Sequence, residues 1–137
     1  MTRILGLDYG EKRIGVSLSD PLKLIASPYT VLKNEGISKL LKDLKKIINE
    51  KKIDTIVIGL PINLKGNDTS QTLKVRRLKS QIETLNVKIF FEDERLSSCM
   101  AKKSMIIQKI KTGHNKSLVD KRAASIILQQ FLNKEKK

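Results

Sequence analysis

Apolar residues follow two rhythms along this chain, and the switch between them divides it. Residues 2–9 hold the run Ile4-Leu5-Gly6-Leu7, which ends on Asp8 and predicts a buried strand. Gly10-Glu11-Lys12 is a turn. Residues 13–19 (Arg-Ile-Gly-Val-Ser-Leu-Ser) alternate, as a half-buried strand antiparallel to the first would. Asp20-Pro21 ends it. Residues 25–33 predict a third strand at an edge, because Pro28 has no N–H to give a central ladder. The period then becomes three and four. Ile37, Leu40, Leu41, Leu44, Ile47 and Ile48 predict an amphipathic helix over 35–51, with Asn34 as its N-cap and Lys39, Lys42, Lys45 and Lys46 on its outer face. Residues 53–60 form a short apolar run suited to a buried parallel strand. A loop with Gly66 follows Pro61. Val75, Leu78, Ile82 and Leu85 mark a helix over 68–85, and residues 87–92 a fifth strand. Ser97 or Ser98 caps a third helix through Ile110. Residues 111–116 are a polar loop. Val119, Ala123, Ile126, Ile127 and Phe131 predict a last helix to 133, and the lysine-rich tail 133–137 should fray.

The predicted order is βββαβαβαα. A hairpin opens the chain, and helical crossovers then demand parallel pairing. The expectation is an α/β fold with a five-stranded mixed sheet, its first three strands antiparallel and strands one, four and five parallel, flanked by helices. No internal repeat or low-complexity linker interrupts residues 1–137, which predict a single domain.

Charge then narrows the partners. Lys and Arg number 28 against 14 Asp and Glu, a formal net charge of +14. Such a field attracts phosphate backbones. Aromatic residues are 4% of the chain, with no Trp, which argues against a platform of exposed rings for stacking bases and favours recognition of the backbone. The lone Cys99 permits no disulfide within the chain and fits a reducing compartment. It reads as a small hydrophobe, since the only histidine, His114, lies in a polar loop. No apolar run approaches the ~20 residues of a membrane span and no signal-peptide pattern opens the chain, so a cytoplasmic location is expected.

Against this basic background, acids recur where they need explaining. Asp8 ends the first strand, the Asp93-Glu94 pair ends the fifth, and Asp120 opens the last helix. Each has an ordinary explanation: a turn residue for Asp8, a strand end or an ion pair with Arg95 for Asp93-Glu94, a helix cap for Asp120. Sites in open α/β sheets, however, form beyond the carboxyl ends of parallel strands, where the first and fifth strands deliver these acids. Asp120 shares a helical stripe with Ala123, Ala124 and Ile127, which would bring it over the same edge. Gathered carboxylates cannot all stay ionised without cations. Mg²⁺, with Mn²⁺ able to substitute, is the natural occupant. A pair of such ions about 4 Å apart would activate a water and stabilise the leaving oxygen of a phosphodiester. Gly6 and Gly59 would leave side-chain-free surface for a substrate or simply allow helix–sheet packing. Asn63 could touch a phosphate or stabilise its turn. Lys12, Arg13, Lys65, Arg95, Lys116, Lys121 and Arg122 flank the acids in sequence, and some of them should grip a nucleic-acid backbone.

These motifs resemble the YqgF/RuvX family. The resemblance lies in Ile4-Leu5-Gly6-Leu7-Asp8-Tyr9-Gly10 with Arg13-Ile14-Gly15-Val16, in Gly59-Leu60-Pro61-Ile62-Asn63, in Asp93-Glu94-Arg95-Leu96-Ser97, and in Val119-Asp120 with Ala123-Ala124. The blocks span nearly the whole chain, in order. The resemblance implies an RNase H-like fold, kinship with Holliday-junction resolvases, and a nuclease that matures the 5′ end of pre-16S rRNA. It implies that Asp8, Glu94 and Asp120 are the catalytic, metal-binding acids, with Asp93 and Asn63 as possible support. Resolvases place an acid after the fourth strand, where this chain has Leu60-Pro61-Ile62-Asn63. Structured RNA is the expected partner and DNA junctions a possible one, for a monomer or weak homodimer. Two other classes compete: an actin-like ATPase or sugar kinase, from the similarity of Gly6-Leu7-Asp8-Tyr9-Gly10 to a phosphate loop, and a non-catalytic RNA-binding factor in ribosome assembly or transcription.

Overall fold

Five strands carry the architecture, in the spatial order β3-β2-β1-β4-β5. In the computed structural model they are β1 (Arg3–Tyr9), β2 (Arg13–Ser19), β3 (Ala26–Lys33), β4 (Ile53–Leu60) and β5 (Lys88–Asp93). The helices are α1 (Ile37–Lys51), α2 (Ser70–Ile82, extended by a 3₁₀ turn over Glu83–Leu85) and α3 (Lys116–Glu135). The structure describes residues 2–61, 69–93 and 116–135, with side chains in the last segment described for 122–134. The helix expected over 97–110 lies outside the described residues.

β1 pairs antiparallel with β2, and β2 with β3, while β1, β4 and β5 run parallel. This is the mixed sheet that the hairpin and crossovers predict. β3 is the edge strand, as Pro28 requires. The ladder slips there: Val16 pairs with Thr30 and Ser17 with Pro28, leaving Tyr29 as an extra residue, a β-bulge.

One face of the sheet buries Leu5, Leu7, Ile14, Val16, Ile56 and Ile58 against Leu40, Leu44 and Ile47 of α1 and Val75, Leu78 and Ile82 of α2. The other packs Ile4 and Val57 against Ile127, Leu128, Phe131 and Leu132 of α3. The stripes at three and four therefore face the sheet as the sequence pattern predicts.

Two helix starts differ from expectation. Asn34 does not cap α1. The cap is Gly36, whose φ of 105° is a conformation that L side chains rarely adopt, and it makes no side-chain cap bond. Asn34 instead braces the chain entering the helix. Its Oδ1 accepts from Gly36 N at 3.2 Å, and its Nδ2 donates to the Gly10 carbonyl at 2.8 Å. At the other end of the chain, α3 starts at Lys116, so Asp120 is its fifth residue and not its opening one. The same helix runs on to Glu135, past the expected fraying point at 133. α2 begins with a reciprocal capping box between Thr69 and Thr72. The Thr72 hydroxyl also donates to the Pro61 carbonyl, tying α2 to the end of β4.

Candidate active site

Asp8 is the next-to-last residue of β1, half-buried at the carboxyl end of the central strand. Its partner on β2 is Gly15. One step past the Leu7–Ile58 pair it comes level with Gly59 of β4, which pairs with Glu92 of β5. Gly15 in turn pairs with Val31 of β3. One row thus crosses the sheet through Val31, Gly15, Asp8, Gly59 and Glu92. Side chains alternate along a strand, so this row lies on the same face as Gly6, the face that α3 covers. Asp8 stands in it between two residues that carry no side chain.

The position of α3 is fixed by close backbone approach. A Cβ on Gly6 would meet the Ser17 Oγ at 2.3 Å, the Leu128 Cβ at 2.8 Å and the Ala124 carbonyl oxygen at 2.9 Å. Of the two roles open to Gly6, helix packing is the one observed. Buried Ser17 locks the contact by donating to the Ala124 carbonyl at 2.8 Å. Farther along, Gln129 accepts from Ala26 N at 2.8 Å and donates to the Leu24 carbonyl at 3.1 Å, at the start of β3. Ala26 pairs with Ser19, at the end of β2 remote from Asp8. From Ala124 the helix crosses the sheet, reaching the start of β3 through Gln129 and Glu92 of β5 through Lys134. The backbone of residue 120 lies one helical turn before Ala124. Ala123, Ala124 and Ile127 of this helix are buried.

Glu92 and Asp93, the acids that close β5, face opposite sides of the sheet. Asp93 is the last residue of the strand and pairs with Leu60, on the face of α1 and α2, opposite that of Asp8. Adjacent strand residues point to opposite faces, so Asp93 does not share the surface of Asp8 as the sequence had suggested. The acid in the row with Asp8 is Glu92, which sequence reasoning passed over as strand interior. Glu92 is 5% exposed, and it accepts a hydrogen bond from the Lys134 Nζ of α3 at 2.8 Å. The alternation of Ile89, Phe90, Phe91 and Glu92 was the available signal for which face it occupies. Lys12 is exposed and Arg13 half-buried beside the first turn, and Arg122 is half-buried on α3. Glu94, Asn63, Lys65 and Arg95 lie outside the described residues, as do the side chains of Lys116, Asp120 and Lys121. Among the described residues no group of three metal-ligating side chains gathers. Asp8 itself offers hard carboxylate oxygens of the kind Mg²⁺ takes.

A central antiparallel hairpin extended by parallel strands, with a long helix across one face, is the resolvase form of the RNase H-like fold. RuvC of Thermus thermophilus, in complex with a Holliday junction substrate, matches with a TM-score of 0.62 at 10% identity, covering 99% of this chain and 96% of that one. The fowlpox virus resolvase with its junction DNA matches with a TM-score of 0.61 at 11% identity, covering 99% and 100%. At the level of sequence, the family model described as RuvX, Holliday junction resolvase, matches residues 2–134, and the chain belongs to that family. Similar relatives carry the name "Putative pre-16S rRNA nuclease". One from Roseiflexus sp. (strain RS-1) is 38% identical over 135 residues, covering 98% of this chain and 96% of its own. Another from Clostridium botulinum (strain Alaska E43 / Type E3) is 41% identical over 133 residues, covering 96% and 97%.

Proposed function

We propose that this protein is a divalent-metal-dependent endonuclease that hydrolyses phosphodiester bonds in structured RNA, with the 5′ end of pre-16S rRNA as its substrate. The observation that carries the proposal is the position of Asp8, flanked in its row by two glycines at the carboxyl end of the central strand, in a family whose members are named as nucleases and resolvases. Asp8, Glu94 and Asp120 would hold Mg²⁺, or Mn²⁺ in its place. Asp93 faces away from Asp8, which leaves Glu94 as the strand-five acid of the set, and Asp120 lies one helical turn before Ala124, whose carbonyl packs against Gly6. Bound there, the metal would lower the pKa of a water and neutralise charge on the phosphodiester. Asp8 would help hold that ion, while the basic surface around it neutralises the flanking backbone.

No described helix is long and apolar enough to cross a membrane. The chain works as a single RNase H-like domain in the cytoplasm, where precursor rRNA is made, as a monomer or weak homodimer.

Asp8→Asn tests the assignment, because the amide keeps shape while removing charge. With Mg²⁺, the parent protein should cut a precursor 16S RNA, and chelator should stop it. The variant should lose at least about a thousandfold in rate, the several kcal/mol that a metal contributes, and keep its melting temperature. A variant that cuts as fast as the parent would refute the role of Asp8. A four-way DNA junction cut in preference to the RNA would replace the substrate, not the chemistry.

A further inference from the structure

The row through Asp8 continues toward the β3 edge, and there the same face of the sheet opens into a cleft of about 600 Å³. Glu11, Lys12, Arg13, Val31, Lys33 and Asn34 line it. Arg13 and Lys33 are register partners on β2 and β3. They lie two residues beyond Gly15 and Val31, and therefore on the Asp8 face. The strand spacing and rise put these basic residues roughly 10 Å from Asp8. Between them the sheet shows Gly15, which raises no side chain in the path.

The cleft has a fixed frame. Asn34 N donates to the Lys12 carbonyl at 2.9 Å, and its Nδ2 donates to the Gly10 carbonyl at 2.8 Å. One residue thus ties the turn bearing Lys12 and Arg13 to the end of β3 bearing Lys33. The acid on the rim, Glu11, pairs with Lys74 of α2 at 3.5 Å, which draws its charge outward.

We infer that this cleft is a phosphate subsite, where Lys12, Arg13 and Lys33 hold a phosphodiester of the nucleic acid close to, and distinct from, the bond cut at Asp8. The inference rests on the nuclease proposal for the choice of ligand. It adds Lys33 and Asn34 to the substrate machinery, as a charge contact and a positioning residue. The subsite fixes register along the backbone and carries no base preference.

The test is fluorescence anisotropy with a labelled RNA hairpin bearing a single-stranded 5′ extension, titrated across a salt series, together with cleavage kinetics. Lys12→Ala with Lys33→Ala should weaken binding by about tenfold at low salt and lower the slope of log affinity against log salt by about one, the signature of one lost phosphate contact. KM for cleavage should rise while kcat holds. Lys45→Ala, on the exposed outer face of α1 across the sheet, should leave the slope unchanged. Both lysines of the double variant are exposed, so its melting curve should overlay that of the parent. An unchanged slope in the double variant, or an equal fall in Lys45→Ala, would overturn the subsite while leaving the nuclease proposal standing. A parent protein that binds neither the hairpin nor a four-way junction would remove both.

Discussion

On the side of α1 and α2, the sheet presents Leu5, Leu7, Ile14, Val16, Ile56 and Ile58, all buried in one aliphatic cluster. On the side of α3, the same strands present Gly6, Asp8, Gly15, Ser17, Ser19 and Glu92 around a smaller apolar patch. The first face is sealed by side-chain volume. The second is held by hydrogen bonds and close backbone contact: Ser17 to the Ala124 carbonyl, Ser19 Oγ accepting from Ile4 N at 2.8 Å, Glu92 to Lys134. The comparison separates stability from chemistry within a single sheet. The strands owe their burial to one side, which frees the other to carry polar residues that a core would exclude.

That division can be broken most strongly at the aliphatic face. Leu44→Ala removes a fully buried side chain from between α1 and the sheet and should cost about 2–5 kcal/mol of stability, measured by chemical denaturation. At temperatures where the variant stays folded, its cleavage rate should match that of the parent. A large loss of rate in folded Leu44→Ala would mean the two faces are coupled. On the α3 face, Gly6→Ala is the sharper probe. The added methyl meets a helix carbonyl that cannot swing aside, so α3 must shift, at about 1–3 kcal/mol. Here cleavage should fall along with stability, because α3 carries Asp120. If Gly6→Ala melts early yet cuts at the parental rate, α3 takes no part in the site.

Acid should produce the smallest effect. Hydrogen bonds from the backbone N–H groups of Ile25 and Leu24 hold the Asp20 carboxyl below its ordinary pKa of 3.8. Burial pushes Asp54 up, but hydrogen bonds from Thr2 and Lys23 outweigh it and leave that carboxyl lowered as well. A depressed carboxylate stabilises the fold above its unfolded pKa, and that contribution disappears as pH falls below 3.8. The melting temperature should therefore drop slightly below pH 4. Asp20→Asn should flatten that drop. Both acids sit at the end of the sheet remote from Asp8, so the pH dependence of cleavage should not follow them.

How much of this was legible beforehand follows from the physics of each feature. Period and punctuation marked the strands and the described helices, since burying a face leaves a repeating trace in the chain. The position of Asp8 was legible for the same reason, because it ends an apolar run. The failures lie where an interaction is not periodic. Asn34 has the composition of a cap, yet its side chain is engaged by Gly10 and Gly36, contacts set by how the hairpin folds back. Asp93 looks like a neighbour of Asp8 because both end strands, whereas the alternation along β5 turns it to the opposite face. Glu92 was overlooked because its partner, Lys134, is 42 residues away in a helix end that looked ready to fray. The cleft beside Asn34 was hidden for a related reason: Lys33 and Arg13 meet only through the β2–β3 register.

The bulge at Tyr29 has a consequence for how these molecules treat one another in a crowded solution. The outer margin of β3 is the natural place for a stranger's strand to zip on, and runaway zipping is how edge strands seed aggregates. With one residue out of step in its middle and a proline beside the step, that margin gives an incoming strand only short stretches of matching partners. The molecule can therefore reach high local concentration without its copies locking together along this edge.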